Sequence, residues 1–244
     1  MGDVMLALAR TFGSLKSGRV WLYVLTPAVL SLLVSIALAV WGLGSFVQWM
    51  LAYPPMTWLA GWGLLWLATF LAYLGGWMAI FALAYLVASL LAALVIMPLM
   101  LKHLSANEYR DVAPMGKDSF VAAAVNSVVA SLIFILAWLA TIPLWLIPGL
   151  SLLLPLLLMA WLNRRTFAYD ALSMHASDAE WNGLREQQKT PLFMLGLTMA
   201  LLAHVPILGL LVPALAALAF VHYGLEALRR SRGGALLTIE GEVI

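Results

Sequence analysis

Long apolar runs and short charged stretches alternate along this chain of 244 residues. Every Lys and Arg falls within residues 1–19, 102–117, 164–189 or 229–232. Between these stretches, residues 20–101, 119–163 and 190–225 contain no Asp, Glu, Lys or Arg at all. A water-soluble domain has no interior large enough to bury such runs, so the pattern predicts helices that lie in a lipid bilayer.

The N-terminal stretch predicts a different kind of helix. Its apolar residues recur at helical spacing, at Met5, Leu8, Phe12 and Leu15. A stripe of this kind beside polar residues predicts a short amphipathic helix on the membrane surface, with Lys16 and Arg19 at the level of the lipid headgroups.

The first two apolar runs predict two long transmembrane helices. Residues 20–50 form one span, which Tyr53-Pro54-Pro55 ends because proline cannot continue a helix. Residues 56–101 form the second, which is longer than a bilayer is thick and must tilt or protrude. Gly75-Gly76 and Pro98 are the predicted kinks.

The last two apolar runs are interrupted and predict helical hairpins. Ile147-Pro148-Gly149 divides one run and leaves a second arm, residues 150–162, that is too short to cross a bilayer as a helix. His204, Pro206 and Gly209 divide the other run in the same way. The predicted fold is therefore an all-α integral membrane protein with an amphipathic N-terminal helix, two long transmembrane helices and two Pro/Gly-tipped, re-entrant (partially inserted) hairpins.

The charges predict the orientation and the domain organisation. With the N-terminus in the cytoplasm, the uncharged loop 51–57 lies outside and all 13 Lys and Arg lie on the cytoplasmic side, as the positive-inside rule prefers. Hairpins that cross the bilayer fully would place the same Lys and Arg residues on the cytoplasmic side. Charge alone therefore does not distinguish six spans from two spans and two partial hairpins. We expect one membrane domain over residues 1–232 and a flexible tail over 233–244.

Composition narrows the function. Hydrophobic residues are 64% of the chain and charged residues 10%, while the net charge of +2 gives no reason to expect a nucleic-acid partner. The chain has no cysteine, which excludes disulfides and Cys-ligated metals. It also lacks the phosphate-binding loop of ATPases and the common motifs of metalloproteases and serine hydrolases. We expect neither an enzyme nor a cofactor.

The best local candidate for binding chemistry is Ser17-Gly18-Arg19, with Lys16 beside it. Free backbone N–H groups and the positive dipole end at a helix start attract anions, and glycine lets an oxyanion approach the backbone closely. The arginine can bind a tetrahedral anion through two parallel hydrogen bonds. The alternative is an ordinary serine N-cap followed by basic residues that reach the headgroups.

Four further residues are candidates for a transport pathway or its mouth. Arg164 and Arg165 follow the short arm of the first hairpin, where they either gather anions or simply fix the topology. His204 lies at the tip of the second hairpin and His222 on its returning arm. An ionisable group within a membrane segment is a candidate for function, although a neutral histidine bonded to a carbonyl explains it equally well.

The order of these features resembles a known family. The local similarities are the entry into the first span at residues 19–30 with Pro27, Met97-Pro98-Leu99 followed by Glu108, Ile147-Pro148-Gly149, Tyr169-Asp170, Val205-Pro206-Ile207-Leu208 and Val212-Pro213. Together, over residues 5–230, they resemble the CysZ-type sulfate permease family and its etoposide-induced relatives. Ser17-Gly18-Arg19-Val20 has one arginine where the sulfate-transporting members carry two.

The resemblance implies an inner-membrane permease or channel for a small oxyanion, most simply sulfate taken up for sulfur assimilation and cysteine biosynthesis. A pathway shielded from lipid on all sides implies a homo-oligomer. The alternative is a non-transporting scaffold or lipid-interacting protein of the same fold, which the nearly uninterrupted apolar runs also fit.

Overall fold

The computed structural model describes residues 2–116, 120–147, 149–205 and 208–233. Over these residues the chain is helical and contains no strand. Four of its helices are long and apolar enough to cross a membrane: Gly18–Trp41, Leu65–Asn107, Val121–Trp145 and Leu208–Ser231. The predicted all-α membrane class is confirmed, whereas the depth to which the hairpins enter a bilayer stays a prediction.

The helices follow the apolar runs closely. In chain order they are α1 (Gly2–Ser14), α2 (Gly18–Trp41), α3 (Leu43–Leu51), α4 (Met56–Gly61), α5 (Leu65–Leu91), α6 (Met97–Asn107), α7 (Phe120–Thr141), α8 (Leu150–Ser173), α9 (Asp178–Gln187), α10 (Lys189–Leu202) and α11 (Leu208–Ser231). A π-helical turn, Ala92–Ile96, joins α5 to α6, and a 3₁₀ turn, Ile142–Leu146, follows α7. The chain forms two compact units, Ala28–Ala88 and Met1–Pro27 with Ser89–Ile244.

Within the unit Ala28–Ala88, glycine divides both predicted spans. The first run is not one helix to residue 50, because α2 ends at Trp41 and α3 begins at Leu43 on the other side of Gly42. The second run does not become a long helix at Met56, since Gly63 takes a positive φ of 79° before α5 begins. The predicted break after residue 50 is confirmed, as α3 ends at Leu51, just before the Tyr53-Pro54-Pro55 turn.

The helix is not interrupted at Gly75-Gly76, where we predicted a kink. Helix α5 runs through both glycines, and a Cβ on Gly76 would lie 2.5 Å from the Cδ1 of Leu43 on α3. Gly76 therefore serves close helix packing, as small residues do in membranes. The irregularity lies farther on, at the π turn directly before Pro98, where proline offers no N–H to the preceding turn.

The other unit is built around α11. Every residue of α11 from Val212 to Leu225 is buried. Helices α1, α6, α8 and α10 pack against it, and α8 also packs on α7 and α10. Helices α8 and α10 approach so closely that a Cβ on Gly196 would lie 2.5 Å from the carbonyl oxygen of Ala160. The second hairpin thus lies within protein along most of its returning arm.

The first hairpin differs from its prediction in one respect. Its returning helix, α8, does not end near residue 163 but continues to Ser173, and Asn163, Phe167 and Asp170 in this extension are buried. The chain turns into α8 at Gly149, with a positive φ of 87°. Pro148 of the first predicted tip and Pro206-Ile207 of the second lie outside the described residues, as does residue 234 onward of the predicted tail.

Helix α1 confirms the predicted N-terminal helix and shows two apolar faces. One face, with Val4 and Ala7, is buried where α1 packs on α11. Two residues of the predicted stripe face outward, since Met5 is 66% exposed and Phe12 is 53% exposed, while Leu8 and Leu15 are half-buried. Large apolar side chains directed away from the protein are what a helix on a membrane surface presents to lipid.

Candidate functional site

The predicted anion site lies at the first turn of α2. Gly18 is the first residue of the helix, and the carbonyl of Ser17 accepts hydrogen bonds from the N–H groups of Val20 (3.1 Å) and Trp21 (3.3 Å). The N–H groups of Gly18 and Arg19 make no backbone hydrogen bond within the described part of the chain. A Cβ on Gly18 would meet no atom within 4 Å, so the space beside these two donors is open.

The two cations at this turn, Lys16 and Arg19, also lack ion-pair partners among the described residues. Lys16, Gly18 and Arg19 are exposed, and over the residues that the structure describes neither cation pairs with a carboxylate. This exposed turn therefore combines three features. Within the described residues it has two N–H groups without a hydrogen-bond acceptor, the positive end of the α2 dipole and two cations without a carboxylate partner. That combination can bind a small anion.

His222 lies in a buried polar cluster. Its side chain is fully buried on α11; Nδ1 lies 3.0 Å from the hydroxyl of Tyr109 and Nε2 lies 3.0 Å from the hydroxyl of Ser14. A carboxylate oxygen of Glu108 is 4.0 Å from Nδ1. Ser14 is the last residue of α1, so the histidine fixes the helix end that leads into the Ser17-Gly18-Arg19 turn.

Arg10 extends this cluster across α1. Its Nη1 donates to the hydroxyl of Tyr109 at 2.8 Å and to a carboxylate oxygen of Glu226 at 2.6 Å. Burial raises the pKa of the Tyr109 hydroxyl, although the hydrogen bond from Arg10 opposes the shift. Tyr109 therefore stays neutral and links α1 to α11.

Two arginines near the end of α11, Arg229 and Arg230, extend the network. Arg229 donates to both oxygens of Asp111, at 2.6 and 2.5 Å, and its hydrogen bonds lower the pKa of that carboxyl. Arg230 pairs with Asp3 of α1 and with Glu226. These pairs tie the loop after α6 and the start of α1 to α11.

Arg232 holds the turn between α8 and α9. It donates to Glu180 at 2.8 and 3.0 Å and to the carbonyl oxygen of His175 at 2.7 Å. Glu180 and Ser177 form a reciprocal capping box at the start of α9. The hydrogen bonds from Arg232 lower the pKa of Glu180 to about 2, so this carboxylate stays charged at all ordinary pH values.

Asp170 is a buried acid with few partners. Its residue is 5% exposed, Ser127 of α7 donates to one carboxyl oxygen at a long 3.4 Å, and the other oxygen has no hydrogen-bond partner within the described residues. Removal from water raises the pKa of Asp170 to about 8, and the bond from Ser127 only partly offsets this. The carboxyl is mainly protonated at pH 7.

The structure does not bring the other pathway candidates to the α2 turn. Arg165 is exposed and Arg164 half-buried on α8; neither forms an ion pair with a described residue. His204 is exposed just after α10, with Nδ1 2.8 Å from the carbonyl oxygen of Ala200. Of the four, only His222 connects to the turn, through Ser14. Within the described residues no cluster of His, Asp and Glu could hold a metal ion.

Sequence reasoning missed most of the cluster. Arg10 and Glu226 are 216 positions apart, and Tyr109 is 113 positions from His222. No local spacing reveals such pairs. The available signal was weaker: an arginine and a tyrosine in the charged stretches next to an uncharged span that contains a histidine.

One comparison with known proteins identifies the family of this chain. A search of curated proteins and a search of solved structures found no match. The profile of the family described as Sulfate transporter CysZ/Etoposide-induced protein 2.4 matches residues 7–213, far more than half of the chain. With its long apolar helices, the chain is a multi-pass membrane protein, and it belongs to the Sulfate transporter CysZ/Etoposide-induced protein 2.4 family.

Proposed function

We propose that this protein is an inner-membrane permease or channel for a small oxyanion, with sulfate as its substrate. The family is a sulfate-transporter family, and the four long apolar helices suit a membrane transporter. The protein is proposed to work without an enzymatic step, with its N-terminus and charged stretches in the cytoplasm.

The observation that carries the proposal is the open first turn of α2. The N–H groups of Gly18 and Arg19 are free of backbone partners, and Lys16 and Arg19 have no carboxylate partner within the described residues. By contrast, the arginines Arg10, Arg229, Arg230 and Arg232 are all paired with carboxylates. An unpaired cation beside free N–H groups favours a doubly charged oxyanion, which a paired one does not.

The proposed pathway leads from this turn along the hairpins. Arg164 and Arg165 would raise the local anion concentration at the cytoplasmic mouth, because they too lack carboxylate partners within the described residues. His204 would lie at the hairpin tip, and His222 would hold the α1–α2 turn in place. A second copy of the chain is proposed to complete the shielding of the path.

The binding site is tested by calorimetry on the purified protein. Arg19→Glu should abolish sulfate binding, because it replaces the bidentate donor with a like charge. The matched control is Arg185→Glu, which makes the same change on an exposed arginine of α9 and should leave binding unaltered. Equal sulfate affinity in Arg19→Glu and the unmodified protein would remove the α2 turn from the proposal.

Transport is tested separately with radiolabelled sulfate in proteoliposomes. The unmodified protein should take up sulfate faster than empty vesicles do, and Arg19→Glu should return uptake to that background. Binding without uptake above empty vesicles would favour the non-transporting scaffold, since a scaffold needs no path across the bilayer.

A further inference from the structure

A cavity of about 260 Å³ lies between α1, α9 and α11, apart from the turn of α2. Its polar wall includes Asp3 and Arg10 from α1, and Glu226 and Arg230 from α11. Leu6, Leu184 and Ala227 form an apolar part of the wall. Cavities that hold a drug-sized ligand are about 300–1,000 Å³, so this one suits a ligand group of a few heavy atoms with an apolar extension.

The two arginines of the lining have hydrogen-bond donors that the described residues leave unused. Arg10 bonds only through Nη1, and Arg230 through Nε and Nη1, so three guanidinium nitrogens have no acceptor among the described residues. Both oxygens of Glu226 already accept hydrogen bonds. A ligand with oxygen acceptors would satisfy these spare donors.

The charge of the lining determines which oxyanion fits best. Two guanidinium groups face two carboxylates, Asp3 and Glu226, so the charged wall is neutral overall. A doubly charged anion would bring two charges out of water with no net positive charge to offset them, whereas a singly charged group needs only the spare donors. The cavity thus favours a monoanion such as a phosphodiester.

The position of α1 indicates where that phosphodiester comes from. The helix directs Met5 and Phe12 outward, with 66% and 53% of each exposed, while Asp3 and Arg10 face the cavity. A helix that presents large apolar side chains in this way lies at the membrane interface, where lipid phosphodiesters are concentrated. We propose that this cavity binds the phosphodiester of a phospholipid headgroup and so fastens α1 to the membrane surface.

The test is native mass spectrometry of the delipidated full-length protein, titrated with phosphatidylglycerol. The double variant Asp3→Asn/Arg230→Gln removes one guanidinium without leaving a carboxylate unpaired, and should weaken lipid binding about tenfold. Ala227→Leu keeps every charge but fills the cavity, and should weaken binding similarly. Lys189→Gln removes an exposed cation one residue beyond the lining and should change nothing.

The outcomes separate a headgroup from a free oxyanion. If millimolar sulfate fails to displace the lipid while the double variant and Ala227→Leu both bind it weakly, the headgroup site is supported. Lipid binding by Ala227→Leu equal to that of the unmodified protein overturns it, even if the double variant fails to fold. Displacement of the lipid by sulfate would assign the cavity to free oxyanions and also overturn it. None of these results depends on whether the α2 turn transports sulfate.

Discussion

Replacement of Asp170 by asparagine should stabilise the protein at neutral pH. The side chain keeps its size, and its amide can still form the 3.4 Å contact with Ser127. What changes is the proton: the native state holds the carboxyl protonated, with a pKa of about 8, whereas the unfolded chain releases that proton near the ordinary value of 3.8. Asparagine is neutral in both states and avoids that cost.

The size of the effect follows from the two pKa values. The ordinary pKa of an aspartate, 3.8, lies about 3.2 units below pH 7. To keep the native carboxyl protonated at pH 7 therefore costs about 4 kcal/mol, at about 1.36 kcal/mol per unit. Water entry and local relaxation around the buried carboxyl lower this figure, so we expect a gain of about 2–4 kcal/mol. For a chain of this length that corresponds to an increase in Tm of about 5–15 °C.

The pH dependence distinguishes this cause from a general packing effect. Because the pKa of Asp170 is raised in the native state, the unmodified protein loses stability as pH rises from about 4 to 8. The advantage of Asp170→Asn should therefore grow over that interval and nearly vanish near pH 4. Thermal unfolding in detergent, followed by tryptophan fluorescence, measures it.

Asp111→Asn is the matched control with the opposite sign. Hydrogen bonds from Arg229 lower the pKa of Asp111, so this carboxylate stabilises the native state above its ordinary pKa and ceases to do so in acid. Asp111→Asn should thus lower Tm at pH 7, with a smaller loss near pH 3. A Tm difference between Asp170→Asn and the unmodified protein that stays constant from pH 5 to 8 would refute the reasoning about the buried proton.

Three further variants test the packing and the polar network. Gly196→Leu should lower stability by about 1–3 kcal/mol or more, measured as a fall in Tm, because the new side chain starts 2.5 Å from a backbone oxygen of α8. Arg232→Gln should lower Tm equally from pH 5 to 8 and progressively less below pH 4.5, where the lowered pKa of Glu180 no longer contributes; unfolding curves at each pH check this. His222→Phe should speed tryptic cleavage at Lys16, since the end of α1 loses its bond to the histidine; an unchanged cleavage rate would contradict that.

Most helices could be predicted from the sequence, because backbone N–H and C=O groups within a bilayer must form hydrogen bonds inside their own segment. Every uncharged run had to be helical, and Pro54-Pro55 and Gly149 mark turns between helices that local chemistry dictates. The errors have a different origin. Residues 163–173 extend α8 because neighbouring helices bury most of them, and Gly76 lies inside α5 because it packs against α3. Tertiary contacts determine such features, and the local sequence does not show which residues will be in contact.

The same division holds for the candidate sites. The turn at Ser17-Gly18-Arg19 could be located from sequence because a helix start depends on a few adjacent residues. The cluster around His222 could not, since its partners come from α1 and from the turn after α6. Asp170 was noticed only as part of a family-like segment; that it is buried almost without partners became visible only in the fold.

The division of cations into paired and unpaired groups bears most directly on function. The arginines Arg10, Arg229, Arg230 and Arg232 join α1, α9 and the turn after α6 to α11 through carboxylates. Such pairs can offer an incoming ligand spare N–H donors but little net charge, which suits a monoanion at most. Cations that lack carboxylates attract a doubly charged oxyanion more strongly, and within the described residues the first turn of α2 combines such cations with free N–H groups. This contrast supports the proposal that a dianion binds at that turn, and His222 holds the end of α1 that leads into it.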